Sequence, residues 1–321
     1  MNILITGVDG YIGSSIAKGI LGKGFGIIGI DIKGINNNSL CDNTNFKFFK
    51  ADITNTKTFP NQLREADVLV HCAALVHKKS SDLSKENYFR VNYEGTKNIL
   101  NFLDRDRLKQ IIFLSTVSVY GDISDNIAPD ENAPANPEDF YGESKLAAEK
   151  EIREFSEKYH IPHTILRLVP VYGDFFLLNL NKRIYLPKQL AFYKIGSGEQ
   201  LLSLVSVNNV VDVITECINN KSFFNETFNV RDFEDYSINQ IILFFKEICS
   251  QRGKPVVQIP LSVPSFLFKC LGLFAQGRAE FYKLQLNKIA LNSLYSAEKL
   301  RSTGIKLKWN MENTLKDSFK C

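Results

Sequence analysis

A glycine-spaced turn directly after the first apolar segment constrains the fold of this chain more than any other feature. Asn2–Thr6 (Asn-Ile-Leu-Ile-Thr) predicts a short buried strand, and the glycines Gly7, Gly10 and Gly13 follow at G-x-x-G-x-x-G spacing. A helical pattern over Ile12–Leu21 comes next. A strand, a glycine turn and a helix in this order are typical of the first unit of a doubly wound sheet, where a pyrophosphate approaches the helix amino terminus.

Apolar runs and helical patterns then alternate through the first half of the chain, which predicts a parallel sheet with crossover helices. The predicted strands are Asn2–Thr6, Phe25–Asp31, Phe46–Ala51, Val68–Cys72, Gln110–Ser115 and His163–Leu168. The predicted helices are Ile12–Leu21, Glu86–Leu103 and Tyr141–Tyr159. Unbroken apolar runs such as Ile111–Leu114 suit strands that are covered on both faces.

The alternation of apolar runs and helical patterns ends after Tyr172-Gly173. We expect residues 1–170 to form a Rossmann domain, rejoined by about 203–222, and residues 171–202 and 223–321 to form a substrate-binding cap. The segments predicted for the second half are a strand at Leu201–Val207, a helix at Val210–Ile218, a cap strand at Thr227–Val230, a cap helix at Ile238–Ser250 and three short helices. The expected class is therefore α/β, with a doubly wound parallel sheet and a smaller α/β C-terminal cap.

Acidic and small residues at the ends of predicted strands, together with the glycine turn, predict a dinucleotide site. Asp31 ends the second strand, 18 residues past Gly13, where a carboxylate can accept hydrogen bonds from an adenosine ribose. A carboxylate there repels a 2′-phosphate, which favours NAD(H) over NADP(H). Asp52-Ile53 fits an adenine site, and Cys72-Ala73-Ala74 permits close approach of a cofactor.

The pattern Tyr-x-x-x-Lys, which puts a phenol one helical turn from an ammonium, occurs three times. The pairs are Tyr93/Lys97, Tyr141/Lys145 and Tyr295/Lys299. Only Tyr141 follows a strand that ends in hydroxyls, Ser115-Thr116-Val117-Ser118, some 25 residues upstream. Doubly wound folds bind ligands at the carboxyl edge of the sheet, where those hydroxyls are expected. The other two pairs are predicted to be ordinary helix neighbours.

Several segments together resemble the extended short-chain dehydrogenases/reductases, and more narrowly their nucleotide-sugar epimerase/dehydratase branch. The resemblance is carried by Gly7–Gly13, Val91–Thr96, Ser115–Gly121, Tyr141–Lys145, Arg167–Gly173 and Ala297–Trp309. It runs the whole length of the chain and is most specific over the first 175 residues. It implies NAD as the cofactor, a nucleotide-sugar substrate with a UDP-sugar favoured, and a homodimer formed through the Glu86–Leu103 and Tyr141–Tyr159 helices.

The resemblance also assigns residues to the site. The catalytic set is Thr116, Tyr141 and Lys145. The cofactor-binding set is Gly7, Gly10, Tyr11, Ile12, Gly13, Asp31, Ile32, Asp52, Ile53, Cys72, Ala73, Ala74, Val76, Asn92, Ser115, Tyr141, Lys145, Leu168 and Val171. The substrate-binding set is Thr116, Val117, Ser118, Tyr141, Asn179 and Arg278.

Tyrosine chemistry accounts for the catalytic set. A free tyrosine has a pKa of about 10 and is a poor base at neutral pH. Lys145 and an oxidised nicotinamide are expected to lower the pKa of Tyr141, so that its phenolate takes a proton from a sugar hydroxyl as hydride leaves the same carbon. Thr116 is expected to hydrogen-bond that hydroxyl, and Lys145 to hold the nicotinamide ribose.

The absence of acidic side chains at two positions limits the reactions that the resemblance allows for this chain. The 4,6-dehydratases of the family carry an acidic pair where this chain has Val117-Ser118, and its decarboxylases carry a glutamate at Ser118. The interpretations that remain are a 4-epimerase and a 4-keto-reductase or dehydrogenase, both acting at C4. Leu202 stands where the family usually has an arginine for the pyrophosphate. Candidate replacements are Lys182, Arg183 and Arg278. A non-catalytic dinucleotide sensor on the same fold is the alternative from another class.

Composition excludes other classes of protein. The formal net charge is +4 without a Lys/Arg run, so no nucleic-acid partner is expected. The six cysteines show no metal-ligand spacing, and no metal is expected. The most apolar stretch, Val263–Ala275, is too short to span a bilayer, and the amino terminus does not read as a signal peptide. We therefore expect a cytoplasmic enzyme.

Overall fold

The computed structural model describes residues 1–35, 38–76, 84–121, 128–174, 177–248, 251–263 and 291–315. The strands of these residues are, in chain order, β1 (Asn2–Thr6), β2 (Gly26–Asp31), β3 (Phe46–Lys50), β4 (Val68–His71), β5 (Gln110–Thr116), β6 (His163–Leu168), β7 (Val171–Tyr172), β8 (Phe192–Ile195), β9 (Leu201–Ser203), β10 (Val205–Ser206), β11 (Glu226–Val230), β12 (Asp235–Ser237) and β13 (Val256–Ile259).

The helices of the same residues are, in chain order, α1 (Tyr11–Leu21), α2 (Asn38–Cys41), α3 (Lys85–Tyr88), α4 (Gly95–Phe102), α5 (Phe140–Tyr159), α6 (Leu178–Ile184), α7 (Val207–Cys217), α8 (Ile238–Ile248), α9 (Glu298–Ser302) and α10 (Met311–Leu315). A π-helical segment, Phe89–Glu94, joins α3 to α4. The predicted helix over Glu86–Leu103 therefore forms with one wide turn inside it, a feature that is frequent at functional sites.

The main sheet has seven strands in the order β11-β6-β5-β4-β1-β2-β3, and every neighbouring pair is parallel. The six strands predicted in the first half all belong to it. In β1, Ile3 and Ile5 pack into the core on one face while Leu4 packs into the core on the other. Side chains alternate along a strand, so an apolar run is stable only where both faces are covered. The doubly wound class is confirmed.

The prediction that the strand at Thr227–Val230 belongs to the cap is wrong. It forms as β11 and pairs with β6 at the edge of the main sheet, with Phe228 opposite Leu166. Its apolar residues Phe228 and Val230 are buried in the same core as Ile3 and Ile5. Sequence pattern identified the strand but not its neighbour, because parallel pairing joins segments that are far apart in the chain.

Three small strand pairs lie outside the main sheet: β7 with β10, β9 with β12, and β8 with β13. The strand predicted over Leu201–Val207 is therefore two strands with different partners. A separate apolar core that includes Tyr172, Leu202 and Phe245 packs the residues expected in the cap. The division into domains by residue number stays a prediction.

Helix α7 packs against α1 and the main sheet, as expected for the 203–222 segment. The Val211 side chain lies against Gly19 of α1, 2.3 Å from where a Cβ would stand, and Val210, Val213 and Ile214 join the core of the main sheet. In the described ranges, no helix has the length and apolarity that a membrane crossing needs. After α8, where three short helices were predicted, the described residues contain two, α9 and α10.

Candidate active site

The glycine turn lies where the order of the sheet reverses. Strand β1 is flanked by β2 on one side and by β4 on the other, and open α/β sheets bind ligands in the crevice at such a point. Gly7 has φ +68°, and a Cβ on it would lie 2.9 Å from the Ala73 Cα. A Cβ on Gly13 would lie 2.2 Å from the Gly7 oxygen. Both positions therefore require glycine.

Helix α1 begins directly at this turn. Gly10 is its N-cap, and no side chain caps the first turn. The exposed N–H groups and the helix dipole favour an anion there. The loop geometry and the uncapped helix together form a cradle for a pyrophosphate.

A cavity of about 220 Å³ opens beside the cradle. The residues that line it are Gly7, Gly10, Ile30, Asp31, Ile32, Ala51, Asp52, Ile53, Cys72, Ala73, Ala74 and Val91. The cavity brings together nine of the residues predicted to bind the cofactor. Sequence reasoning missed Ile30, Ala51 and Val91, which are apolar residues with no chemical signal of their own.

Two carboxylates lie at this cavity. Asp31 accepts hydrogen bonds from the backbone N–H groups of Asp9 (3.1 Å) and Lys33 (3.2 Å), so it ties the glycine turn to the end of β2. A carboxylate has about four lone-pair positions, and two of them remain for a ribose diol. Asp52 accepts from the Thr54 N–H at 2.8 Å and from the Thr54 hydroxyl at 2.9 Å. Its carboxylate therefore shapes a turn at the cavity wall.

The predicted catalytic residues come together at the carboxyl edge of β5. Helix α5 begins one residue before Tyr141, and its N-cap Asp139 accepts a hydrogen bond from the Gly142 N–H at 2.7 Å. Thr116 ends β5 and lies close enough to Tyr141 to affect the pKa of its phenol. Lys145 lies one turn further along α5, close enough to Cys72 of the cavity wall to interact with it electrostatically.

Burial opposes the charged forms of both catalytic groups. It raises the pKa of Tyr141 above its ordinary value, an effect that the neighbouring Thr116 partly offsets and that Asp139 and Tyr88 reinforce. Burial also lowers the pKa of Lys145 to about 7, against the opposing charge of Glu149. Lys145 is not among the groups that lower the pKa of Tyr141. The groups of the described residues that act on Tyr141 therefore favour the phenol, and the expected phenolate needs a further positive charge.

A buried ion pair lies behind Lys145. Arg167 donates to Glu149 through Nε (3.1 Å) and Nη2 (2.8 Å), and the Ser115 hydroxyl donates to the same carboxylate at 2.5 Å. Ser115, predicted to contact the cofactor, thus directs its hydroxyl to Glu149. Sequence reasoning missed Glu149, although a carboxylate four residues after Lys145, between Ala148 and Ile152 on the buried face of a helix, is a readable signal.

Asn92 lies behind the cavity wall. Its amide group donates to the Leu75 carbonyl (3.1 Å) and to the Ser144 hydroxyl (2.9 Å), and it accepts from the Leu75 N–H (2.7 Å). Within the described part of the chain, these protein atoms are its hydrogen-bond partners. Asn92 therefore fastens the loop after β4 to the catalytic helix.

The remaining predicted cofactor contacts are not among the residues that line the cavity. Tyr11 and Ile12 begin α1, and the Tyr11 hydroxyl lies 2.1 Å from where a Cβ of Gly173 would stand. Leu168 and Val171 are buried at the end of β6 and in β7. Val76 is partly exposed, and its carbonyl accepts a hydrogen bond from Tyr88 at 3.4 Å. Their contacts with a cofactor stay predictions.

On the substrate side, Val117 is buried and Ser118 is partly exposed. The Ser118 hydroxyl lies 3.2 Å from that of Thr116. Leu202 is 2% exposed in the apolar core of the cap, so its side chain does not face an open cleft. Of the candidates to replace the arginine, Lys182 is exposed and Arg183 is largely enclosed near Tyr193. The side chain of Asn179 and the whole of Arg278 lie outside the described residues.

The side chains of the other two Tyr-x-x-x-Lys pairs contact residues away from the cavity. Lys97 lies over the ring of Tyr93, and the Tyr93 hydroxyl donates to Glu151 at 3.4 Å. Lys299 forms an ion pair with Glu226 at 2.7 Å, and Tyr295 is buried. Neither pair lines the cavity. Tyr295 precedes α9, so the prediction that Tyr295 and Lys299 are helix neighbours is wrong.

The residues present fit a dinucleotide: a loop that only glycines can form, an uncapped helix above it, and a carboxylate at the end of β2. Together with the tyrosine and lysine at the adjacent strand end, they define a dinucleotide-dependent enzyme of the doubly wound α/β class. The chain belongs to the NAD dependent epimerase/dehydratase family, whose model matches residues 3–230. NAD is therefore its cofactor.

Curated relatives cover nearly the whole chain. A UDP-glucose 4-epimerase of Vibrio cholerae is 28% identical and aligns with 99% of this chain and 93% of its own length. An N-acetyl-alpha-D-glucosaminyl-diphospho-ditrans,octacis-undecaprenol 4-epimerase of Escherichia coli O157:H7 is 26% identical, with 99% and 95% covered.

Solved structures share the fold over the same extent. A UDP-glucuronic acid 4-epimerase from Bacillus cereus, solved with NAD, superposes with a TM-score of 0.77 at 23% identity, covering 100% of this chain and 99% of that one. At this identity the likeness bears on the fold alone.

Proposed function

We propose that this protein is a nucleotide-sugar 4-epimerase that inverts C4 of a UDP-activated hexose. The observation that carries the proposal is the position of Thr116 beside Tyr141 at the carboxyl edge of β5, with Lys145 one turn further along α5. The names of the two curated relatives support the 4-epimerase over a one-way enzyme.

The chemistry follows from the positions of these side chains. NAD, when bound, supplies the hydride acceptor for C4 and a positive charge beside Tyr141. Tyr141 takes the proton of the 4-hydroxyl as C4 is oxidised, and it returns that proton once the 4-keto sugar has turned its other face to the site. Thr116 orients the 4-hydroxyl toward Tyr141. Lys145 contributes a positive charge at the cavity wall.

The surroundings of Thr116 argue against elimination or decarboxylation. The next two side chains along the chain are Val117 and Ser118, neither of which can act as a carboxylic acid or base at C5 or C6. A 4-epimerisation needs one group that takes and returns a proton, for which Tyr141 is placed, and one hydride acceptor, which NAD would supply when bound. The retained catalytic set also argues against a sensor that only binds NAD.

The purified protein should be incubated with UDP-glucose, UDP-galactose and their N-acetylamino counterparts, with and without added NADH. Product that forms without net change in NADH supports the epimerase. A 4-keto-reductase consumes one NADH per turnover, and a dehydrogenase forms one, so either stoichiometry contradicts the proposal. Tight NAD binding without product from any of these sugars, or from polyprenyl-diphosphate sugars, would identify a sensor.

The proposal includes a homodimer in the cytoplasm, where NAD and nucleotide sugars are both available. We assign the dimer interface to the outer faces of α3, α4 and α5, where Phe140 is 44% exposed at the beginning of α5. Burying large apolar side chains is a main source of affinity between subunits. Light scattering of the wild type and of Phe140→Glu tests the interface, and an unchanged dimer in the variant contradicts this assignment.

A further inference from the structure

A buried histidine at the end of β4 connects two parts of the site. The His71 Nδ1 lies 2.6 Å from the Thr6 hydroxyl oxygen, and its Nε2 lies 2.9 Å from the Thr96 hydroxyl oxygen. Thr6 is the last residue of β1 and precedes the glycine turn, while Thr96 is in α4. The imidazole ring therefore bridges the strand that carries the glycine turn and the helix behind the cavity wall.

The hydrogen-bond donors around the ring determine which nitrogen carries the proton. The Thr96 hydroxyl donates to the Asn92 carbonyl at 2.6 Å, so its only proton is used and it must accept from the Nε2–H of His71. On the other side, the Thr6 hydroxyl oxygen accepts from the N–H groups of Cys72 (3.1 Å) and Ala73 (3.0 Å). Its own proton is then directed at Nδ1, which accepts it. The network is complete only with a neutral ring.

The surroundings of the ring also oppose a second proton. His71 is 1% exposed, and its ring stacks on Phe113 with a centroid distance of 5.7 Å. Burial and, to a smaller extent, the nearby ammonium of Lys145 together lower the pKa of His71 to about 3. A protonated ring would place a third N–H donor against the filled lone pairs of Thr6. Both the hydrogen bonds and the charges therefore favour the neutral ring.

The connection continues from Thr96 to the catalytic helix. Its hydroxyl holds the backbone of Asn92, whose side chain donates to the Ser144 hydroxyl at 2.9 Å. Ser144 in turn donates to the carbonyl of Tyr141 at 2.8 Å. One chain of hydrogen bonds thus runs from the strand end beside the glycine turn to the backbone of the tyrosine.

We infer that His71 is a positioning residue for the reaction: as a neutral ring with its proton on Nε2, it sets the position of the catalytic helix relative to the glycine turn, through Thr96, Asn92 and Ser144. The catalytic part of this inference rests on the proposed function. Its structural part concerns the ring and NAD alone, so the two can be tested separately.

The ring itself is tested by nitrogen NMR of the full-length protein with labelled histidine, the His71 signals being assigned by their loss in His71→Asn. We expect a protonated Nε2 and an unprotonated Nδ1 from pH 5.5 to 8.5. A ring that titrates in this range, or one that carries its proton on Nδ1, overturns the inference. This readout does not depend on any sugar substrate.

The consequence for the site is tested by a matched pair of variants at Thr96. Thr96→Val has the same shape without the hydroxyl, and Thr96→Ser keeps the hydroxyl. We expect Thr96→Val to lower kcat about tenfold with the KM for the sugar little changed, and to weaken NAD binding, since small misplacements of aligned groups cost large factors in rate. We expect Thr96→Ser to stay within about twofold of the wild type.

The outcomes separate the two hypotheses. Wild-type kcat and NAD affinity in a folded Thr96→Val protein overturn the positioning role. Equal losses in both variants also contradict it, because the serine restores the hydrogen bonds. If no sugar is turned over by the wild type, the proposed function fails, and the NAD affinities of the pair still decide whether the chain of hydrogen bonds shapes the site.

Discussion

Lys145 and Glu149 lie one helical turn apart on α5, and each is only 1% exposed. Burial lowers the pKa of Lys145 to about 7, and the charge of Glu149 is the first of the effects that oppose it. Glu149 is itself held by Arg167 at 2.8 Å. The protonation of the catalytic lysine near neutral pH therefore depends on a carboxylate that is itself buried and paired with an arginine.

Glu149→Gln should remove this support. The loss of the negative charge leaves the positive charge of Arg167 uncompensated, and both changes lower the pKa of Lys145 further. The alkaline limb of kcat/KM should move toward lower pH, and activity at pH 8 should fall about tenfold for every pH unit that the limb moves. Measuring kcat/KM between pH 5.5 and 9 gives the position of the limb in the wild type and the variant.

Two further variants control this experiment. Glu149→Asp keeps the charge and should keep the position of the limb. The double variant Glu149→Gln/Arg167→Met removes both charges and should fall between the wild type and the single variant. Superimposable profiles of the wild type and a folded Glu149→Gln protein would contradict the role of Glu149.

Tyr141→Phe should lose about 10²- to 10⁴-fold in turnover, the usual contribution of a general acid–base group. The ring is kept and only the hydroxyl is removed, so NAD should stay bound, which mass analysis of the denatured protein can measure. Tyr93→Phe is the matched control, since Tyr93 also stands four residues before a lysine but lies away from the cavity. Equal activity of the two variants would refute the assignment of Tyr141.

Gly13→Ala should abolish tight NAD binding. The new Cβ would lie 2.2 Å from the Gly7 oxygen, so the glycine turn must move out of the position that receives a pyrophosphate. Gly22→Ala, at the other end of α1, has no atom within 4 Å of the added Cβ and should bind NAD as the wild type does. Calorimetric titration with NAD compares them, and equal affinities would show that the turn tolerates the added methyl group.

Asp232 should make stability depend on pH. Burial raises the pKa of its carboxyl to about 6, against hydrogen bonds from Tyr172, Ser206, Asn209 and Tyr236. An acid with a raised pKa in the folded state favours folding most when it is protonated. Its contribution to the free energy of unfolding should therefore fall by about 1.3 kcal/mol between pH 5 and pH 7.

The measurement is urea unfolding of the wild type and of Asp232→Asn at both pH values. The variant lacks the titrating group, so the difference between the two proteins should change with pH by that amount. A constant difference would mean that Asp232 is ionised throughout, with its four donors outweighing the cost of burial.

Local patterns in the sequence were sufficient to predict the six strands and the three long helical segments of the first half, and nine of the residues that line the cavity. A glycine turn after an apolar strand can be recognised because its requirements are local: φ +68° at Gly7 and contact distance at Gly13. Tyr141 and Lys145 were recognisable for a similar reason, since residues four apart share one face of a helix.

The neighbours of these elements were not predictable in the same way. Strand β11 was recognised as a strand but expected in the cap, because its partner β6 lies about 60 residues earlier in the chain. The network of Thr6, His71, Thr96 and Asn92 joins residues from separate elements.

The sequence by itself determined which segments become strands and helices and which chemical groups the site contains. Only the tertiary structure decided what surrounds those groups: the burial that lowers the pKa of Lys145, the carboxylate of Glu149 that opposes it, and the two hydroxyls that hold the ring of His71. The physical reason is that helix and strand patterns arise from neighbours along the chain, whereas pKa values and proton positions depend on every group that packs nearby in space.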